Sequence, residues 1–420
     1  MLRAMQNKIQ LGRSGPRCAV VPRNFQRYPL RAGAALVVTA LALPAMAQIS
    51  DTIHPYVSAS YNHDSNLLRQ SDTGSGDLSD NYKTGEVGVK IERPIGRQII
   101  TADLKVSRVT FDRYEQLNYN GKEFTGALEW HLANHLQGHI GALHSETLAP
   151  FSDSHSEERN LRKQRRYYLD GTWTFHPSWQ VRGSWAREHN DFELDIQRYN
   201  NRVEDTAEVG VDYLASSNSR VGLIARRLKG TYTARDTLVG SLLDSGYTQD
   251  ELKANIYWYF SAQSQLQFLG GVARRQHQIF TQRDEKGVNA RAIYYWLPRT
   301  KLHVNTKAWR EFAAVDGTVL NSALLTGASL DLTYDVTSKI GATASAKTER
   351  RRFTPIPGLE LGGGSLNDST RYYTVGMVYA PLQRVTLGLN AFRTSRSGSV
   401  AVGTNSYEAT GVSFNVSAQF

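Results

Sequence analysis

Residues 407–420, YEATGVSFNVSAQF, alternate without a break from Thr410 onward. Val412, Phe414, Val416, Ala418 and Phe420 point one way, and Gly411, Ser413, Asn415, Ser417 and Gln419 the other. Successive side chains of an extended chain leave on opposite faces, so this segment reads as a strand with one apolar and one polar side. The same period recurs upstream. Ile100, Ala102, Leu104 and Val106 alternate with Thr101, Asp103, Lys105 and Ser107; Leu252, Ala254, Ile256, Trp258 and Phe260 with Glu251, Lys253 and Asn255; Ile340, Ala342, Ala344 and Ala346 with Gly341, Thr343, Ser345 and Lys347. A period of two sustained along the chain makes it all-β.

Between these segments two kinds of connection take turns. Tight ones fall at 94–97, 133–135, 176–178, 215–218, 261–264, 298–300, 335–338 and 381–383. Longer, polar ones fall at 70–80, 150–163, 194–202, 234–246, 281–286 and 354–368, with shorter members at 115–119, 316–318 and 397–404. Eight tight turns and nine longer connections make about 18 strands in one domain. The strict alternation of short and long is the asymmetry of a membrane barrel, with short periplasmic turns and longer outer loops.

The start of the chain fits that destination. Residues 1–31 carry Arg3, Lys8, Arg13, Arg17, Arg23, Arg27 and Arg31 and no acid; an apolar run, 32–43, and the sequence Ala45-Met46-Ala47 follow. This order reads as a cleaved signal peptide, residues 1–47, ahead of a barrel domain spanning 48–420. Its apolar core is shorter than the ~20 residues a membrane helix needs. Cys18, the only cysteine, precedes that core, so the mature chain has no disulfide and no lipid-bearing thiol. With the leader goes most of the formal charge of +10, and with the charge goes the case for a nucleic-acid partner.

An exported chain with no second helix-length apolar run can cross a bilayer only as a closed barrel, because only helices and barrels satisfy their backbone groups in lipid. The expectation is therefore an all-β, transmembrane, antiparallel up-and-down β-barrel in a bacterial outer membrane. A last strand ending on Phe420 resembles the C-terminal signal read by the barrel-assembly machinery, which would be a partner. Aromatics crowd beside the tight turns: Trp130, Trp173, Phe175, Trp179, 257–260, 294–296, Tyr334 and Tyr379. They are expected to form the periplasmic girdle, since amphipathic rings favour the membrane boundary.

The search for chemistry yields no catalytic, cofactor-binding or metal site. No nucleophile elbow, phosphate-binding loop or paired zinc motif occurs. His135 and His139 lie four apart beside a turn, with no carboxylate arranged to complete a metal site. Gly362, Gly363 and Gly364 fall in an outer connection, where flexibility accounts for them. No enzyme activity and no cofactor are expected.

Charge is more informative. The positions opposite the apolar faces mix Lys90, Lys105, Arg182, Lys253, Arg291, His303, Lys307 and Lys347 with Glu86, Asp103, Glu129, Glu208, Asp212, Glu251 and Asp331. The seven Lys and Arg of that set are the pore-lining candidates; pairing with the acids is the plain alternative. A second basic set lies toward the outer strand ends: Arg162, Lys163, Arg165, Arg166; Arg226, Arg227, Lys229; Arg274, Arg275; Arg350, Arg351, Arg352; Arg393, Arg396. Guanidinium forks match phosphate and carboxylate. Such a rim suits lipopolysaccharide phosphates, or a mouth that draws in an acidic polymer.

The stretch Tyr61, Asp64, Ser65, Asn66, Leu67 and Arg69 resembles the first strand of the β-barrel porin 2 family, and within it the EpsL-type outer-membrane proteins of exosortase-associated exopolysaccharide clusters. The match covers about twenty residues and brings no functional residues with it. It implies a non-enzymatic component of exopolysaccharide biosynthesis and export, with the polymer and periplasmic export components as partners. Read without the family, Asp64-Ser65-Asn66 is a loop-entry signal, because such side chains bond their own backbone. The expected function is thus a passive exit route for the polymer. The rivals are a small-solute porin, marked by a long, constricting inward loop and a strongly single-signed constriction; a polysaccharide-modifying enzyme; and an anchor with a closed lumen.

Overall fold

The computed structural model describes residues 52–71, 76–152, 155–235, 244–314, 322–354 and 365–420. The residues read as a signal peptide, 1–47, the connection 316–318 and Gly362 to Gly364 lie outside them. Eighteen strands follow in order: β1 Ile53–Asp64, β2 Asp80–Ile95, β3 Gln98–Phe111, β4 Tyr119–Leu132, β5 Leu136–Leu148, β6 Leu161–His176, β7 Trp179–Phe192, β8 Arg202–Leu214 and β9 Arg220–Tyr232. The second half runs β10 Gly246–Ser261, β11 Ser264–His277, β12 Glu285–Arg299, β13 Leu302–Ala314, β14 Ser322–Asp335, β15 Ile340–Phe353, β16 Asn367–Leu382, β17 Val385–Ser397 and β18 Tyr407–Gln419. Each pairs antiparallel with its sequence neighbours.

The sheet closes on itself. β1 pairs with β18 from Tyr56–Gln419 to Asp64–Gly411, and the Phe420 amide donates to the Pro55 carbonyl at 2.8 Å. Closure leaves no strand edge unpaired, the condition for placing a sheet in hydrocarbon. All eight tight turns fall where the alternation puts them, and the order of the strands leaves a longer connection between each pair of hairpins. Gly96 shows the local cause: it turns β2 into β3 at φ 62°, a left-handed conformation that costs a residue without a Cβ nothing.

Alternation then sorts the two faces. Leu104, Val106, Leu252, Trp258, Val272 and Leu389 are exposed on the outside, as lipid-facing residues of a protein without its bilayer must be. Asn62, Gln180, Asp212, Gln249, Glu251 and Asn289, of the opposite parity, are buried within the ring. An apolar exterior around a polar interior defines a transmembrane barrel, and the architecture is that of the outer membrane.

The girdle holds with one correction. Trp173, Phe175, Trp179, Trp258, Phe260, Trp296, Tyr334 and Tyr379 are all exposed on the outer wall near the tight turns. Tyr257, Tyr259 and Tyr295 share the inward parity of Asn255 and Arg291, so a consecutive aromatic run supplies the girdle with only every second ring. Tyr257 instead donates to the Gln265 Oε1 at 2.8 Å, between two inward side chains.

Candidate functional site: the lumen and its outer mouth

Every charged residue assigned to the lumen lies on the inward face, and most are paired. Lys105 bridges Glu123 at 2.8 Å and Glu86 at 3.5 Å. Arg182 meets Asp212 at 3.3 Å, Lys307 meets Asp331 at 3.4 Å, and Lys347 meets Glu349 at 3.3 Å. Arg291 forks onto Glu311 through Nε at 3.1 Å and Nη2 at 2.5 Å. Lys90 takes the Tyr56 ring instead, with its Nζ 5.2 Å from the centroid. Lys253 differs from the rest: it is 2 % exposed, sealed under a network in which Glu251 accepts from Lys253, Gln249 and Asn289, each at 2.5 Å. It belongs to the wall more than to the water inside it. The remaining six leave a lumen of alternating sign.

Alternation also divides the second basic set, strand by strand. Lys163, Arg165, Arg227, Lys229, Arg274, Arg350, Arg352 and Arg393 are exposed on the outer wall, whereas Arg162, Arg166, Arg226, Arg275, Arg351 and Arg396 turn inward. Adjacent arginines in sequence therefore serve opposite surfaces. The inward members build the outer mouth. Asp368, without solvent exposure in its side chain, receives Arg351 at 2.7 Å and Arg396 at 2.5 Å. Two guanidiniums thus meet on one carboxylate.

The described residues of the connection after β5, 149–152 and 155–160, come inward to this pair. They leave the wall where the Ala149 amide donates to the Asn160 carbonyl at 2.8 Å. Phe151 packs on an apolar cluster of Leu67, Leu68, Tyr82, Val109, Phe111, Tyr114 and Leu117 inside the mouth. The Ser152 carbonyl accepts from Arg396 Nη1, and His155 Nδ1 bonds the Leu68 carbonyl at 3.0 Å. Arg396 is on β17, six strands from β5 around a ring of eighteen. A loop from one side of the barrel thus spans a third of its circumference on the inside. Sequence gave no sign of this, because the contact joins residues 244 positions apart.

Facing it is a second cluster, built by the connections after β9 and β11. Arg235 donates to the Tyr199 carbonyl at 2.7 Å and the Asp244 carbonyl at 2.8 Å, with its guanidinium carbon 3.3 Å from the Tyr232 ring centroid. Burial pushes it down to about 10. Arg275 gives Nη1 to Ser322 at 2.9 Å and lies 4.0 Å from the Tyr247 ring centroid. Arg283, on the single turn Thr281–Arg283, is 1 % exposed, and none of its three nitrogens has a hydrogen-bond partner among the described residues. Burial lowers it too, offset in part by nearby Asp244. The Asp244 carboxylate does not reach it, being spent on the Ile279 amide at 2.8 Å and the Phe280 amide at 3.2 Å.

The Tyr61–Arg69 stretch is a fastening at the barrel seam. The Asn66 amide donates to Asp64 Oδ1 at 3.0 Å, the loop-entry bond the sequence suggests. Ser65 spans to β18 through its amide to the Thr410 carbonyl at 2.9 Å, and its Oγ accepts the Thr410 amide at 2.8 Å. Asn66 adds a bond to the Glu408 carbonyl at 3.2 Å. Arg69 closes the turn at φ 55° with both terminal nitrogens on Asp64. Burial works against its charge, but the Asp64 fork outweighs burial and holds Arg69 above its ordinary value.

Among the described residues no group of three or more His, Cys, Asp or Glu is placed to hold a metal, and His139 is engaged with Asp170 at 2.9 Å. What the geometry offers is a polar interior lined by paired charges, with inward arginines at its outer end and part of the connection after β5 folded in against them. The fold and this lumen define an outer-membrane β-barrel of porin-like build.

No protein-family model matches the sequence, and a search of curated proteins finds no match. Among solved structures, the chain is similar to OccAB3 of Acinetobacter baumannii at 10 % identity and a TM-score of 0.45, over 88 % of this chain and 100 % of that one. OccK9 (OpdG) of Pseudomonas aeruginosa matches at 12 % and 0.47, and OccK2 (OpdF) at 9 % and 0.48, each over 88 % of this chain and 98 % of the other. At such identities, and with TM-scores below 0.5, the likeness says nothing about what passes through this barrel.

Proposed function

We propose that this barrel is a passive outer-membrane pore for small hydrophilic solutes, with a preference for anions at its mouth. The observation that carries the reading is that Phe151 and Ser152, in the connection after β5, reach the Leu67–Leu68 cluster and Arg396 on β17, a crossing that would narrow the entrance. A narrowed entrance suits a small solute better than a bulky hydrated polymer. Among the described residues Arg275 and Arg283 have no carboxylate hydrogen-bond or ion-pair partner, which supports a positive bias at the mouth. Inside, paired charges of both signs offer weak, exchangeable contacts, and no sharp single-sign constriction forms there. Movement would be diffusive.

Liposome swelling tests this directly. Vesicles holding the purified protein should swell fast in small sugars and sugar acids, and the rate should fall steeply once the solute exceeds a disaccharide. Equal rates for an oligosaccharide and a monosaccharide would remove the narrow-mouth reading.

A second reading, an exit route for exopolysaccharide, is favoured by one observation, the resemblance at Tyr61 to Arg69. Those residues are employed in fastening β1 to β18, which accounts for their pattern without a polymer. A deletion strain that makes sugar precursors but releases no polymer would nevertheless restore this reading.

A further inference from the structure

We infer that the outer rim of the lipid-facing wall over β11–β16 is a docking surface for the phosphates of a phosphorylated glycolipid in the outer leaflet. Six cations stand there, all pointing outward: Arg274, Lys286, Arg310, Arg350, Arg352 and Arg371. None has a hydrogen-bond or ion-pair partner among the described residues, and no outward acid of those strands lies among the described residues. Elsewhere on the same rim each outward cation tends to face an acid. Arg187 forks onto Asp205 at 2.7 and 2.9 Å, Arg165 meets Asp191 at 2.6 Å, Arg227 meets Asp250 at 3.4 Å, and Arg393 meets Glu408 at 2.9 Å. Lys163 and Lys229 also lack an ion pair, but each faces an acid across the ladder, Lys163 facing Glu146 and Asp191 and Lys229 facing Asp205, whereas Lys286, Arg310, Arg350, Arg352 and Arg371 face none.

Register makes the sector over β11–β16 compact. Arg274 marks the edge of the sector, directly opposite Lys286 on one side and Asp250 on the other. Arg310 and Arg350 both face Thr326, so they stand two strands apart, about 10 Å. Their height is right as well. Eight residues separate Leu302 from Arg310, and Tyr379 from Arg371, which is about 20 Å along the membrane normal for a strand tilted by ~40°. The cations therefore cap the apolar band where headgroups begin. Guanidinium forks bind phosphate oxygens in pairs, and burying the ligand's acyl chains against the apolar wall below would add to the charge term. The inference stands apart from what crosses the lumen.

The test uses protein extracted in mild detergent, mixed with bisphosphorylated lipid A and read by native mass spectrometry. The variant R310Q/R350Q/R352Q/R371Q should retain at least about fivefold less lipid A than the parent. K83Q/R187Q/R227Q, on the acid-paired side, should retain as much as the parent, and dephosphorylated lipid should bind neither protein differently. Lysine at the same four positions should restore part of the binding. If the fourfold variant fails to fold, R350Q/R352Q carries the same test, with a loss of about twofold expected. Undiminished retention overturns the inference. So does a shift from dimer to monomer in the glutamine variant, which would make the sector a contact between two copies, and so does equal displacement by inorganic phosphate at the concentration of the lipid.

Discussion

Asp64 and Arg69 face each other through a two-pronged ion pair at the seam of the barrel, with both nitrogen–oxygen distances at 2.7 Å. The pair is buried, and it holds the turn that carries Ser65 and Asn66 onto β18. It is therefore a tie between the first strand and the last, at the pairing that closes the sheet.

Breaking this pair should be costly. Arg69→Ala leaves a buried carboxylate uncompensated, and such a loss destabilises by about 3–5 kcal/mol. Arg69→Lys should recover little, because one ammonium cannot supply the parallel fork. Urea unfolding of detergent-refolded protein, followed by the heat-modifiable shift on gels, reads this out. A midpoint within error of the parent for Arg69→Ala would show that the seam does not depend on it.

Arg283 invites the opposite result. Its guanidinium is buried with no partner for any nitrogen among the described residues. Removing an uncompensated buried charge relieves a desolvation cost, so Arg283→Met should leave stability unchanged or raise it by about 1 kcal/mol or more. The same unfolding assay applies. A marked loss would mean that the charge is neutralised by something bound in the mouth.

The lumen lysines should act through charge and in small steps. Lys307 and Lys347 are inward and partly exposed beside Asp331 and Glu349. Lys307→Glu with Lys347→Glu should move the anion-to-cation permeability ratio toward cations, by about 1 kcal/mol per site at low salt and less at high salt. Reversal potentials under a salt gradient measure it. Lys253→Glu should instead lower folded yield, because Lys253 is sealed against Glu251.

The fold was legible because a barrel is written locally. A period of two and a strict exchange of short and long connections suffice to place eighteen strands, and each face follows from parity. Parity applied more strictly would also have turned Tyr257, Tyr259 and Tyr295 inward and split Arg350 and Arg352 from Arg351. The outer mouth was not legible. Phe151 on the Leu67–Leu68 cluster, Ser152 on Arg396 and the stranding of Arg283 depend on how separate connections fold over one another. Nothing in the local pattern of 149–160 distinguishes a loop that turns into the lumen from one that stands in solvent. The Asp64-Ser65-Asn66 signal lies between these cases: its loop-entry bond was readable, while its bonds to Thr410 and Glu408 were not.

Single-channel recording of the purified protein in a planar bilayer, with and without residues 150–159 replaced by a two-residue turn, tests the central claim most directly. A pore narrowed by this loop predicts steady, ohmic conductance in the parent and a clearly larger conductance, with weaker anion preference, in the shortened variant. No conductance from either protein, both folded, would contradict the account and make the barrel a closed anchor.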